Sequence, residues 1–189
     1  MGHDKVLSAG TYLDSLRFRF HLARRLGVSA SSVVAHVLGE HGTSEVFAWS
    51  SASVAGVPIS VLLSRLPNQD PQKFQSEVEN EVRYANISII EGIGASQHGI
   101  GMVTARIVEI IARDERIVIP IGCYNPKYGV TLSLPSVVGR EGVLEVIEPE
   151  LAADEREKLA RSADRLKAAL GRILLAQTEM PLGGSGAAR

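Results

Sequence analysis

The sequence predicts an α+β domain in which antiparallel strands are packed by long helices. Three observations carry this. A helical stretch with a glycine stop occupies residues 11–27, β-branched runs joined by short glycine-containing turns lie between 116 and 147, and a charge-studded amphipathic stretch spans 151–175. Strands collected in one part of the chain, with helices on either side, favour α+β over a strictly alternating α/β order.

Each element follows from local chemistry. Residues 11–26 form a helix, with Thr11 as N-cap, Asp14 three residues on as its capping-box partner, and Gly27 as the stop. Leu13, Leu16, Phe20 and Ala23 recur at three- and four-residue steps and are expected to form its buried stripe. Residues 32–38 are β-branched and apolar, a strand leading into the turn Gly39-Glu40-His41-Gly42. Residues 46–53 come next, and Val57-Pro58-Ile59 opens a connection that closes in a loop at 66–71. A helix is expected over 72–91, weakened at its end by Asn86 and the isoleucines of 87–90. Gly92 and Gly94 break it, and a second helix runs over 96–113. Strands follow at 116–123, 130–138 and 143–146, joined by hairpin connections at 125–129 and 139–142. A final helix covers 151–175. The Gly-Gly-Ser-Gly-bearing tail, 177–189, is expected to be disordered, leaving one domain over 1–176.

Composition narrows the function. A chain of 189 residues, 45% hydrophobic and 22% charged, can bury one substantial core. A formal net charge of −1 argues against nucleic-acid binding, which usually needs a basic face. No apolar run approaches the roughly 20 residues that span a bilayer, and the N-terminus lacks an apolar signal core. The single cysteine, Cys123, forms no internal disulfide, so a cytoplasmic location fits best. The five histidines show no metal-ligand spacing, so no metal is expected. Phe47 and Trp49 suit core or subunit-interface anchors, and the charges of 154–165 suit a solvated helix face. The stretch Gly92-Ile93-Gly94-Ala95-Ser96-Gln97 begins like a dinucleotide fingerprint. It lacks the last glycine and follows a helix instead of a strand, so it is rejected as a cofactor loop.

Two segments carry candidate chemistry. His41, between glycines that permit a tight turn after a strand, is a candidate proton donor. Asp14 could orient its imidazole and stabilise the protonated form. Arg17 could hold a substrate carboxylate through a two-pronged hydrogen bond that lysine cannot imitate. Taken in isolation, Asp14 is most simply a capping residue and Arg17 its ion-pair partner one turn on, and spacing alone does not settle between the readings.

The segments Gly10-Thr11-Tyr12-Leu13-Asp14-Ser15-Leu16-Arg17-Phe18 and Gly39-Glu40-His41-Gly42 resemble the C-terminal half of the NAD-dependent L-lactate and malate dehydrogenase family. The likeness continues through Gly94-Ala95-Ser96, Gly99-Ile100-Gly101-Met102 and Ala105-Arg106-Ile107, and returns at 134–142. It is nearer the lactate than the malate branch. The resemblance implies that His41 is the acid/base that protonates the 2-oxo group, that Asp14 orients it, and that Arg17 clamps the substrate carboxylate. It places Ser96 where a threonine commonly lines the substrate pocket, although Ser96 also suits an N-cap. Thr43 stands where an aspartate often follows His-Gly. Arg19 matches a residue of sugar-phosphate-activated members, but Val34 replaces their histidine, which argues against that regulation.

The resemblance implies an acid/base half of an enzyme that interconverts a 2-oxo acid such as pyruvate with its L-2-hydroxy acid. NAD would be bound mainly by an N-terminal Rossmann half that this sequence does not contain. The chain by itself is expected to be inactive, and to form a homo-oligomer or pair with a cofactor domain. The alternatives are a malate dehydrogenase, a non-catalytic carboxylate-binding or interaction module derived from the family, and a truncated remnant.

Overall fold

The computed structural model describes residues 2–65 and 70–179, except for the side chains of 176–179. Its order is α1 (Tyr12–Leu26), β1 (Val33–Val34), β2 (Val37–Leu38), β3 (Val46–Phe47), β4 (Ser53–Val54), β5 (Val57–Pro58), α2 (Ile59–Leu63), α3 (Pro71–Arg83), α4 (Ala85–Ile93), α5 (Gln97–Arg113), β6 (Ile117–Asn125), β7 (Val130–Gly139), β8 (Gly142–Val146) and α6 (Ala153–Glu179). Every strand ladder among the described residues is antiparallel, in three sheets ordered β1-β4-β5, β2-β3 and β6-β7-β8. The expected α+β class is therefore borne out.

The long sheet is the part whose local chemistry is plainest. Nine consecutive pairs join β6 to β7, from Ile117 opposite Val138 to Asn125 opposite Val130. Asn125 turns the chain: its side-chain carbonyl accepts from the Lys127 amide at 2.9 Å, and its backbone carbonyl accepts from Gly129 at 2.8 Å. A two-residue turn, Arg140-Glu141, then returns β8 beside β7. Backbone bonds between Ser8 and Gly122, and between Gly39 and Ser133, tie the start of the chain and the histidine turn to this sheet.

α1 is the hub, but its buried face is rotated from the expected one: of the expected stripe Ala23 is buried and Leu13 partly so, and the other two positions are not. Thr11, Ser15, Phe18 and Leu22 are fully buried, whereas Leu16 and Phe20 are exposed. Hydrophobic spacing pointed the wrong way because two core-facing positions are hydroxyl residues. Ser15 Oγ donates to the Thr11 carbonyl and accepts from the Val37 amide, both at 2.8 Å, and Thr11 Oγ1 donates to the Val37 carbonyl. Satisfied in this way, they sit in the interior at little penalty and lock α1 onto β2. Beyond them Phe18 meets Phe47 and Trp49 edge-on, with centroids 5.2 and 4.8 Å away.

Other expectations change in detail. The strand over 32–38 splits into β1 and β2, which join different sheets. The helix over 72–91 is two helices that meet at Tyr84 (φ −98°, ψ 5°). Asp70 caps the first, accepting from the Gln72 and Lys73 amides ahead of Pro71. Of the expected tail, 177–179 continue α6, while 180–189 lie outside the described residues, as do 66–69 of the expected loop. The ion pairs Lys158–Asp154 and Arg161–Glu157 line an exposed face of α6, as the charge pattern suggested.

Candidate active site

Asp14, Arg17, His41 and Ser96, separated by as many as 82 positions in the chain, come together at one end of α1. Asp14 and Arg17 lie one helical turn apart on α1. His41 is delivered by the turn after β2. Gly39 opens that turn at φ +84°, a left-handed conformation, and a Cβ there would lie 2.6 Å from Ser162 Oγ. Gly39 exchanges two backbone hydrogen bonds with Ser133, and Ser162 Oγ accepts from the Glu40 amide at 2.9 Å. The histidine thus projects from a turn pinned on both sides.

Asp14 is buried, and each carboxylate oxygen has one partner. Oδ2 accepts from His41 Nδ1 at 2.7 Å and Oδ1 accepts from Arg17 Nη1 at 3.2 Å. The capping reading of Asp14 is corrected, because Thr11 makes no side-chain cap bond and its amide donates to Ser133 Oγ. With the hydrogen on Nδ1 committed to a carboxylate, Nε2 is left for a ligand. The Asp14 hydrogen bond holds the His41 pKa above the ordinary imidazole value. Burial and the Arg17 charge oppose that rise, while the charges of Asp14 and Glu45 reinforce it.

Two further residues belong to the site that sequence reasoning did not select. Asn86, in the first turn of α4, accepts at Oδ1 from Arg17 Nη2 and from Ser96 Oγ, both at 3.0 Å. The N-cap role considered for Ser96 is thereby corrected, since its hydroxyl makes no cap bond to α5. Glu45, four residues after His41, has a side chain only 3% exposed. Its Oε1 has no hydrogen-bond partner among the described residues, and Arg83 Nε stands off at 3.6 Å. Burial, followed by the nearby Asp14 charge, pushes the Glu45 pKa up to about 8. A buried acid in the stretch Gly42-Thr43-Ser44-Glu45-Val46-Phe47 was the available signal for Glu45; Asn86 offered none, because the break at Tyr84 brings it to Arg17.

Ligand atoms of Asp14, His41 and Glu45 lie within 4.8 Å of one another, a grouping that could in principle hold a cation. Asp14 is already shared between Arg17 and His41, and a guanidinium 3.2 Å from it disfavours a metal ion. The set is better suited to holding and moving a proton. Thr43 lies beside this group on the exposed side, where its hydroxyl accepts from Arg165 at 3.4 Å. Val34 is exposed, and Arg19 donates to the Ala35 carbonyl at 3.1 Å.

A hollow of 410 Å³ opens in front of these groups, lined by His41, Asn86, Ser96, Leu13, Ile100 and the backbone at 8–10. Arg17 lies one hydrogen bond behind the lining, through Asn86. The arrangement offers a proton donor or acceptor at Nε2, a guanidinium for a carboxylate, and room for a small organic acid. No glycine-rich strand-to-helix unit for a dinucleotide is formed among the described residues. Such a unit needs a parallel strand pair, and every ladder here is antiparallel.

Comparison with known proteins identifies the family and the fold. A model of the lactate/malate dehydrogenase alpha/beta C-terminal domain matches residues 11–175. L-lactate dehydrogenase of Deinococcus radiodurans is 45% identical over 162 residues, covering 86% of this chain and 53% of the relative. That of Chloroherpeton thalassium is 43% identical over 169 residues, covering 89% and 55%. The crystal structure of the minor L-lactate dehydrogenase from Enterococcus mundtii in ligand-bound form superposes with a TM-score of 0.86 at 34% identity, covering 92% of this chain and 56% of that one. The chain therefore spans about half the length of the curated relatives it matches. With the match running from the first turn of α1 into α6, the chain belongs to the lactate/malate dehydrogenase family, as its α/β C-terminal domain.

Proposed function

We propose that this chain is the substrate-binding and acid/base part of an L-lactate-type 2-hydroxyacid dehydrogenase. The observation that carries the proposal is the linked set His41–Asp14–Arg17 at the edge of the small-acid-sized hollow. Arg17 holds the carboxylate of a 2-oxo acid such as pyruvate, and protonated His41 donates from Nε2 to the oxo oxygen. As the carbonyl is reduced, the proton passes from Nε2 to that oxygen, and Asp14 stabilises the imidazolium beforehand. In the reverse direction neutral His41 takes the hydroxyl proton. Ser96 and Asn86 border the space for the rest of the substrate. NAD on a dinucleotide-binding unit would supply the hydride, and no group of this site is assigned to holding it.

On this proposal the chain alone turns nothing over and acts as a homo-oligomer or paired with such a unit, in the cytoplasm. The exposed Ile87, Ile90 and Ile93 of α4 support such pairing. No helix among the described residues is long and apolar enough to cross a membrane.

The test is binding of pyruvate, followed through the NMR signals of the His41 imidazole. Pyruvate should perturb them, and Arg17→Lys should weaken binding about tenfold or more. Binding should also weaken as the pH rises through the His41 pKa, because only the protonated ring donates to the oxo oxygen. Binding that is indifferent to both Arg17→Lys and pH would overturn the proposal.

A further inference from the structure

We infer that Asn86 selects the substituent on the substrate's third carbon, and that it favours a hydroxyl. This rests on the function proposed above. Arg17 can only donate, so the Asn86 atom 3.0 Å from Nη2 must be the carbonyl oxygen, and the same oxygen takes the Ser96 hydrogen. The amide is thereby oriented. Its Nδ2 group, with two N–H donors, has no acceptor among the described residues, and Asn86 lies on the wall of the hollow.

A 2-oxo acid held by its carboxylate on Arg17 and its oxo group on His41 places its third carbon in this same hollow. There it meets the Asn86 N–H donors and the Ser96 oxygen, whose lone pairs remain available after its hydrogen is given to Asn86. A hydroxyl is the one small group that satisfies both, accepting from Nδ2–H and donating to Oγ. A methyl in its place leaves both unpaired once water is displaced. A second carboxylate could accept from Nδ2, but the lining carries no lysine or arginine to offset its charge, and Asp14 and Glu45 stand behind His41. The class selected is thus the 3-hydroxy-2-oxo acids, over their 3-alkyl and dicarboxylic counterparts.

A matched pair of ligands tests this: 3-hydroxypyruvate and 2-oxobutanoate, which differ only by hydroxyl against methyl, with pyruvate as reference. Each is titrated into the chain and followed through the His41 imidazole signals. The wild type should bind 3-hydroxypyruvate about two- to tenfold more tightly than 2-oxobutanoate, the span of one or two net hydrogen bonds. In Asn86→Ala the ratio should fall to about one or invert, as a polar donor is replaced by apolar surface. Asn86 is half-buried at a helix start, where alanine is well tolerated, so loss of the fold is not the expected result. All three acids binding without preference, or a preference that survives Asn86→Ala, overturns the Asn86 assignment and leaves the proposed function standing. None of the three perturbing His41 overturns the proposed function and this inference with it.

Discussion

Replacing Glu45 with glutamine should stabilise this domain, and increasingly so as the pH rises. In the fold the Glu45 carboxyl is almost entirely buried, its Oε1 lacks a hydrogen bond, and Arg83 is too distant to make one. Burial and the neighbouring Asp14 raise its pKa from 4.5 to about 8. The folded state therefore holds this proton more tightly than the unfolded chain. The associated stability is fully present below the unfolded value of 4.5 and is lost as the pH rises through about 8. At about 1.4 kcal/mol per pH unit the loss is capped near ~5 kcal/mol, and local relaxation and water entry bring it to about 2–4 kcal/mol. Glutamine keeps the shape and one donor but cannot ionise, so it escapes the loss. Urea unfolding of both proteins, followed by circular dichroism at about pH 5.5, 7 and 8.5, measures the difference directly. His41 titrates in both and largely cancels. A Glu45→Gln advantage that is flat or shrinks with pH would refute the reasoning. It would mean that Glu45 is ionised in the fold and paired with Arg83.

The remaining predictions concern α1 and its partners. Asp14→Asn removes the charge and leaves only a neutral amide acceptor for His41, so an NMR titration should show its pKa falling to or below the ordinary imidazole value. An unchanged titration would assign the shift to some other group. Ser15→Ala leaves the Val37 amide without its 2.8 Å acceptor in a fully buried place, and should destabilise the domain by about 1–3 kcal/mol in urea unfolding. A loss below about 0.5 kcal/mol would show that the α1–β2 lock is not made by that hydroxyl.

Much of the architecture was legible residue by residue. The β6–β7–β8 sheet follows from β-branched runs punctuated by Asn125, Gly129, Gly139 and Gly142, because turn chemistry and side-chain alternation are local properties. The end of α1 at Gly27, which adopts φ +68°, was legible for the same reason. The orientation of α1 was not. Thr11 and Ser15 look like surface residues until Val37 arrives to satisfy them, and Leu16 and Phe20 look like core. The break at Tyr84 was equally hidden, since continuous helical periodicity runs across it.

The sequence by itself determined the family, the α+β class, and the identity of the four residues His41, Asp14, Arg17 and Ser96 as candidates, since motif and turn signals need only neighbouring residues. The tertiary structure decided what those residues touch. It decided between the two readings of Asp14 in favour of the acceptor of His41 and Arg17, committed the Ser96 hydroxyl to Asn86, and buried Glu45 beside them, where its pKa rises. They depend on groups far apart in the chain, Asp14 and His41 27 positions and Arg17 and Asn86 69 positions from each other, or on exclusion of water by the assembled core. A hydrogen bond or a desolvated charge exists only when those distant groups have been brought together.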